Sequence, residues 1–100
     1  VALTIVTPVA ATDPDLTTGY CTTYDGQGNV ATNQTVTFAL STPTYASGKL
    51  YNTTPFTATS DDEGLLQVEL IRGATYTMTR PGLSSLSIIG ADATTTELPT

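Results

Sequence analysis

Few side chains in this sequence can do chemistry, and they stand apart. There is no histidine. The commonest general base and metal ligand is therefore missing, and no Ser-His or Cys-His nucleophile system can be assembled. The densest carboxylate group is Asp61-Asp62-Glu63, followed by Gly64. Hard oxygen ligands suit Ca²⁺, but the run lacks the alternating spacing of an EF-hand loop. Asp61, Asp62 and Glu63 thus read as a solvated turn before they read as a metal site, and no metal or other cofactor is expected. Asp13 and Asp15 flank Pro14, a spacing that breaks strand pairing and offers no obvious cleft for a glycosidase-type carboxylate pair. Cys21 is the single cysteine and has no cation beside it in the sequence. A free cysteine in such a setting behaves as a small buried hydrophobe.

Binding chemistry is better represented. Tyr20, Tyr24, Tyr45 and Tyr51 are candidate contact residues, because tyrosine offers rigid amphipathic area at low entropy cost. Tyr45, Lys49 and Tyr51 fall in 41–55, the longest stretch without a strand pattern. A loop of that length in a small domain usually carries function or mobility. Tyr20 and Tyr24 alternate with Cys21 and Thr23, which places them outward if Cys21 points in. A protein receptor or a glycan would suit such a surface, although no tryptophan is present. Asn33-Gln34-Thr35 and Asn52-Thr53-Thr54 match the N-glycosylation acceptor pattern. Gly26-Gln27-Gly28 is no phosphate loop, since neither the lysine nor the following helix is there.

Those residues must be positioned by strands. No window shows apolar residues at helical spacing, and threonine, stiff at χ1 and suited to a pleated surface, alternates with aliphatic residues throughout. Strands are predicted at Leu3–Val6, Gly19–Tyr24, Thr35–Leu40, Phe56–Ser60, Leu65–Ile71, Ala74–Arg80 and Leu86–Ile89, with a short edge at Thr94–Leu98. Val36, Phe38 and Leu40 form one buried face, Leu66, Val68 and Leu70 a second, and Tyr76 with Met78 a third. Turns are read at Asp25–Asn29, Asp61–Gly64, Arg72-Gly73 and Pro81-Gly82. About seven short strands at regular intervals predict an all-β, antiparallel sandwich. One domain spans 1–100, its first 17 residues being an N-terminal strand and connecting arm. In that strand Leu3, Ile5 and Val6 are candidates for assembly by addition to a neighbour's open edge.

Composition excludes several partner classes. Three basic against nine acidic residues give a net charge of −6, and Lys49, Arg72 and Arg80 are scattered. Such a field repels phosphate backbones and anionic lipid heads, so nucleic acid is not an expected partner. No apolar run approaches the roughly 20 residues of a membrane-spanning helix, so membrane insertion is not expected.

Two stretches also carry a resemblance. Tyr24-Asp25-Gly26-Gln27-Gly28-Asn29 leads to Val36-Thr37-Phe38. Thr59-Ser60-Asp61-Asp62-Glu63-Gly64-Leu65-Leu66 leads to Gly73-Ala74-Thr75-Tyr76-Thr77. This succession of a D-x-x-G turn, a strand, a second D-x-x-G turn, a strand, a glycine and a Thr-Tyr-Thr strand resembles prealbumin-like sandwich modules. Carboxypeptidase regulatory-like domains and collagen-adhesin B-type repeats are among them. It is also similar to the immunoglobulin-like modules displayed on phage and bacterial surfaces. The resemblance covers about residues 19–82. It implies a non-enzymatic structural, adhesive or display module of an extracellular, cell-surface or virion assembly, with protein partners or copies of itself. The chain departs from adhesin repeats in one respect. Its only lysine, Lys49, lies in the long loop rather than in a strand, so no internal isopeptide bond is implied. A carbohydrate- or receptor-binding module using 41–55 is the alternative.

Overall fold

A computed structural model describes residues 10–80 and 84–99. The predicted strand carrying Leu3, Ile5 and Val6 lies outside them, as does the Pro81-Gly82 turn.

Two sheets face each other across one core. The first has the order β6-β1-β9, built from β1 (Leu16–Thr22), β6 (Leu65–Ile71) and β9 (Thr95–Glu97). β1 runs antiparallel to β6 and parallel to β9. The second has the order β5-β2-β7-β8, from β2 (Thr35–Leu40), β5 (Phe56–Thr59), β7 (Thr75–Thr79) and β8 (Leu86–Ile89), all antiparallel. A separate hairpin joins β3 (Thr44–Ala46) to β4 (Lys49–Tyr51). The expected all-β sandwich is the observed architecture.

Alternation explains it. Val36, Phe38 and Leu40 of β2, Leu66, Val68 and Leu70 of β6, and Tyr76 and Met78 of β7 all point inward and are buried. Phe38, Leu66, Leu70 and Met78 are among the largest fully buried side chains, and each contributes roughly 1.5–3 kcal/mol by leaving water. The intervening threonines face out and meet in rows. Thr57, Thr37 and Thr79 stand side by side across three strands, the half-buried environment that favours threonine.

Three corrections to the sequence reading have physical causes. The first strand of the described fold is Leu16–Thr22, not Gly19–Tyr24. Gly19 is not a strand start but a mid-strand gap over which the core closes; a Cβ there would come 2.9 Å from Leu70 Cδ1. Tyr24 is past the strand end and makes only an isolated bridge with Val30. The stretch 41–55 is not a structureless loop. Its centre is the β3–β4 hairpin, which turns on Ser47 (φ 52°) and Gly48 (φ 73°). A two-residue turn with both φ values positive matches the right-handed twist of its strands.

Candidate functional site

The hairpin carries Tyr45, the most exposed large hydrophobic side chain among the described residues. Cross-strand register sets Tyr45 directly opposite Leu50, with Thr44 opposite Tyr51 and Ala46 opposite Lys49. Side chains alternate between faces, so the two tyrosines of 41–55 point in opposite directions. Ala46 is buried in the core and Tyr51 packs against it. Tyr45 and Leu50 face away, 76% and 57% exposed. A directly opposed aromatic–aliphatic pair of this kind normally stabilises a sheet by being covered. Here it faces solvent.

The hairpin tip is pinned from a distance. Ser47 adopts a left-handed conformation that costs a non-glycine residue energy. Its N–H donates to Asp15 Oδ2 at 2.9 Å, and its hydroxyl donates to Asp13 Oδ2 at 2.5 Å. The Asp13 carboxylate also accepts the Asp15 N–H at 2.8 Å. These bonds, the Ser47 hydroxyl first, hold the Asp13 carboxyl below the usual aspartate range, with Arg72 and Lys49 adding weaker attraction. Arg72 fixes the far side of the same turn. Its N–H donates to the Asp15 carbonyl at 3.0 Å and its Nε to the Leu16 carbonyl at 2.8 Å. An ion pair with Asp92 spans 3.7 Å. Asp13 and Asp15, read from sequence only as strand breakers, are thus the clamp of the contact hairpin.

Beside the hairpin a groove of about 370 Å³ opens between the two sheets. Buried Leu40, Leu70 and Tyr76 line its depth, Tyr51 and Phe56 its wall, and Glu69 borders it from β6. Phe56 is 37% exposed, stacks on Phe38 at 5.9 Å and meets Tyr76 edge-on at 6.3 Å. Burial pushes the Tyr76 phenol upward, and the Ile71 N–H that donates to its oxygen at 2.9 Å opposes this.

The other singled-out residues are dispersed. Tyr20 is half-buried in β1, between Gln67 of β6 and Glu97 of β9. Tyr24 is 54% exposed beside the Asp25 turn. Neither joins Tyr45 in a ring contact among the described residues, so the four surface tyrosines form no single platform. Lys49 is exposed at the start of β4. Cys21 is buried in the core, and burial raises its thiol while Arg80 nearby opposes the rise.

Asp61 serves its own turn. Its Oδ1 accepts the N–H groups of Glu63 at 2.9 Å and Leu65 at 3.0 Å. Asp25 does the same for Gln27 and Asn29, at 2.8 and 3.0 Å. Each D-x-x-G turn ends in a glycine with positive φ, 80° at Gly28 and 78° at Gly64. Asp62 and Glu63 are exposed on that turn, and no group of three metal-ligating side chains comes together among the described residues. Searches of protein-family models, of curated proteins and of solved structures return no match to this chain.

Proposed function

We propose that this chain is a non-enzymatic contact module of a larger extracellular, cell-surface or virion assembly, and that it meets a protein partner through the β3–β4 hairpin. One observation carries the reading. Tyr45 and Leu50 form an uncovered apolar pair on a hairpin whose tip is pinned by two carboxylates. A pre-positioned aromatic anchor pays less entropy on binding than a mobile loop would. The lack of histidine supports a role without turnover.

Hydroxyl-radical footprinting tests this. Tyr45 and Leu50 should be oxidised readily in the isolated chain and become protected in the native assembly, while Tyr24 and Val30 change little. Equal oxidation of Tyr45 and Leu50 in both states contradicts it.

A further inference from the structure

The hairpin contact leaves the groove between the sheets without a role. We propose that this groove binds a quaternary ammonium group carried by a free small molecule, seated among the rings of Tyr51, Phe56 and Tyr76 with Glu69 as its counter-charge. This goes beyond the contact reading and does not depend on it.

The rings are the first argument. Phe56 and Tyr76 meet at 89° with centroids 6.3 Å apart, and so form two walls of a corner. Tyr51 lines the same recess. Aromatic faces carry negative charge density, and a cation within about 6 Å of a ring centroid is attracted to it. Several rings around one recess are the arrangement that recognises alkylated ammonium ions. The volume, about 370 Å³, is at the small end of ligand sites and takes a trimethylammonium head with a short tail.

Charge points the same way. Among the described residues Glu69 is the only charged one lining the groove, and it belongs to no ion pair there. After burial, the groups that push the Tyr76 phenol upward are Tyr51 and Glu69, so both lie near its hydroxyl. No lysine or arginine acts on that phenol. A chain of net charge −6 also draws cations toward its surface.

Hydrogen bonding decides which cation. The Asn52 Oδ1 already accepts the Thr54 N–H at 2.9 Å, and the Tyr76 oxygen accepts the Ile71 N–H at 2.9 Å. A primary ammonium brings three donors that need acceptors and gives up strong hydration. A quaternary ammonium has no donors and meets aromatic faces directly.

Titration of the full chain with choline, followed at the ring resonances of Tyr51, Phe56 and Tyr76, tests this. Those resonances should shift with a Kd of about 1 mM, the range open to a ligand of so few atoms. The neutral isostere 3,3-dimethylbutan-1-ol and the primary amine ethanolamine should each bind about tenfold more weakly or worse. Phosphocholine should also bind more weakly than choline, since it brings an anion beside Glu69. Tyr51→Leu keeps apolar bulk and removes a ring. It should weaken choline about tenfold and change the isostere little. Glu69→Gln should weaken choline about threefold, its charge being exposed and screened. Circular dichroism confirms that each variant is folded, and Glu69→Gln, a surface change, carries the test if Tyr51→Leu is not. Tyr45→Ala should leave the titration unchanged. Choline and isostere binding alike, or no shift with choline at about 20 mM, overturns the ammonium site. Ethanolamine binding as tightly as choline overturns the quaternary assignment, and tighter phosphocholine overturns the free-molecule assignment. An undiminished choline preference in Tyr51→Leu places binding outside the groove and overturns the proposal. None of these outcomes moves the footprint of Tyr45, which tests the hairpin reading separately.

Discussion

Asp13 and Ser47 are 34 residues apart, yet the serine hydroxyl donates to the aspartate Oδ2 at the tip of the contact hairpin. The bond makes the hairpin tip dependent on pH. The folded-state pKa of Asp13 is lowered, chiefly by this hydroxyl. Its contribution is therefore complete above the ordinary aspartate range and is lost as pH falls through the lowered value. Amide protection factors at Ser47 and Gly48 should be constant from pH 7 to about pH 5 and drop on further acidification. Protection within β2 and β7 should hold longer. Asp13→Ala should give the low-protection tip already at neutral pH. An unchanged tip in that variant would show that the turn stands without its clamp.

Glycine at 64 is required by the fold rather than by the turn alone. Its φ is +78°, and a Cβ would meet Val30 Cγ1 at 2.0 Å and the Ala31 carbonyl oxygen at 3.3 Å. Gly64→Ala should lower stability by about 2–3 kcal/mol in denaturant unfolding. Gly26, around which a Cβ meets nothing within 4 Å, is the control. Gly26→Ala should change stability by less than about 0.5 kcal/mol. Similar losses for both would contradict the close approach of the 61–64 turn to Val30.

How much of this was visible in the residues depends on range. Period-two burial identified β2, β6 and β7, because Val36, Phe38 and Leu40 alternate with Thr35, Thr37 and Ala39, Leu66, Val68 and Leu70 with Gln67 and Glu69, and Tyr76 and Met78 with threonines. Both D-x-x-G turns were legible for a local reason: Asp25 and Asp61 bond to amides two and four residues on. The hairpin was missed because its strands are three residues each, too short for alternation to stand out, and its apolar pair faces water. The role of Asp13 and Asp15 was not legible at all. Their partner, Ser47, is brought near only by the folded sheets, and nothing local distinguishes it from the other serines.

Threonines 17 and 96 join β1 to β9 through a buried hydroxyl pair at 2.9 Å, and Thr96 Oγ1 also accepts the Ala91 N–H at 2.9 Å. Thr96→Val keeps the shape and removes the oxygen. It strands both the Thr17 hydroxyl and the Ala91 amide, and should cost about 1–3 kcal/mol. A neutral result would mean that water reaches the β1–β9 seam.

Cys21 should be a reporter of unfolding. Its thiol is buried and its pKa is raised by that burial, so little thiolate is present at neutral pH and reagents cannot reach it. Labelling by a maleimide should be slow in the native chain and become rapid through the denaturant transition. Fast labelling of the native chain would contradict the placement of Cys21 in the core.

The most direct test of the account puts a photoreactive benzophenone side chain in place of Tyr45, and separately in place of Tyr24, within the native assembly. Position 45 should yield a covalent adduct with a protein partner on illumination, and position 24 should yield none. Adducts from position 24 with none from position 45 would contradict the claim that the hairpin is where this module makes its contact.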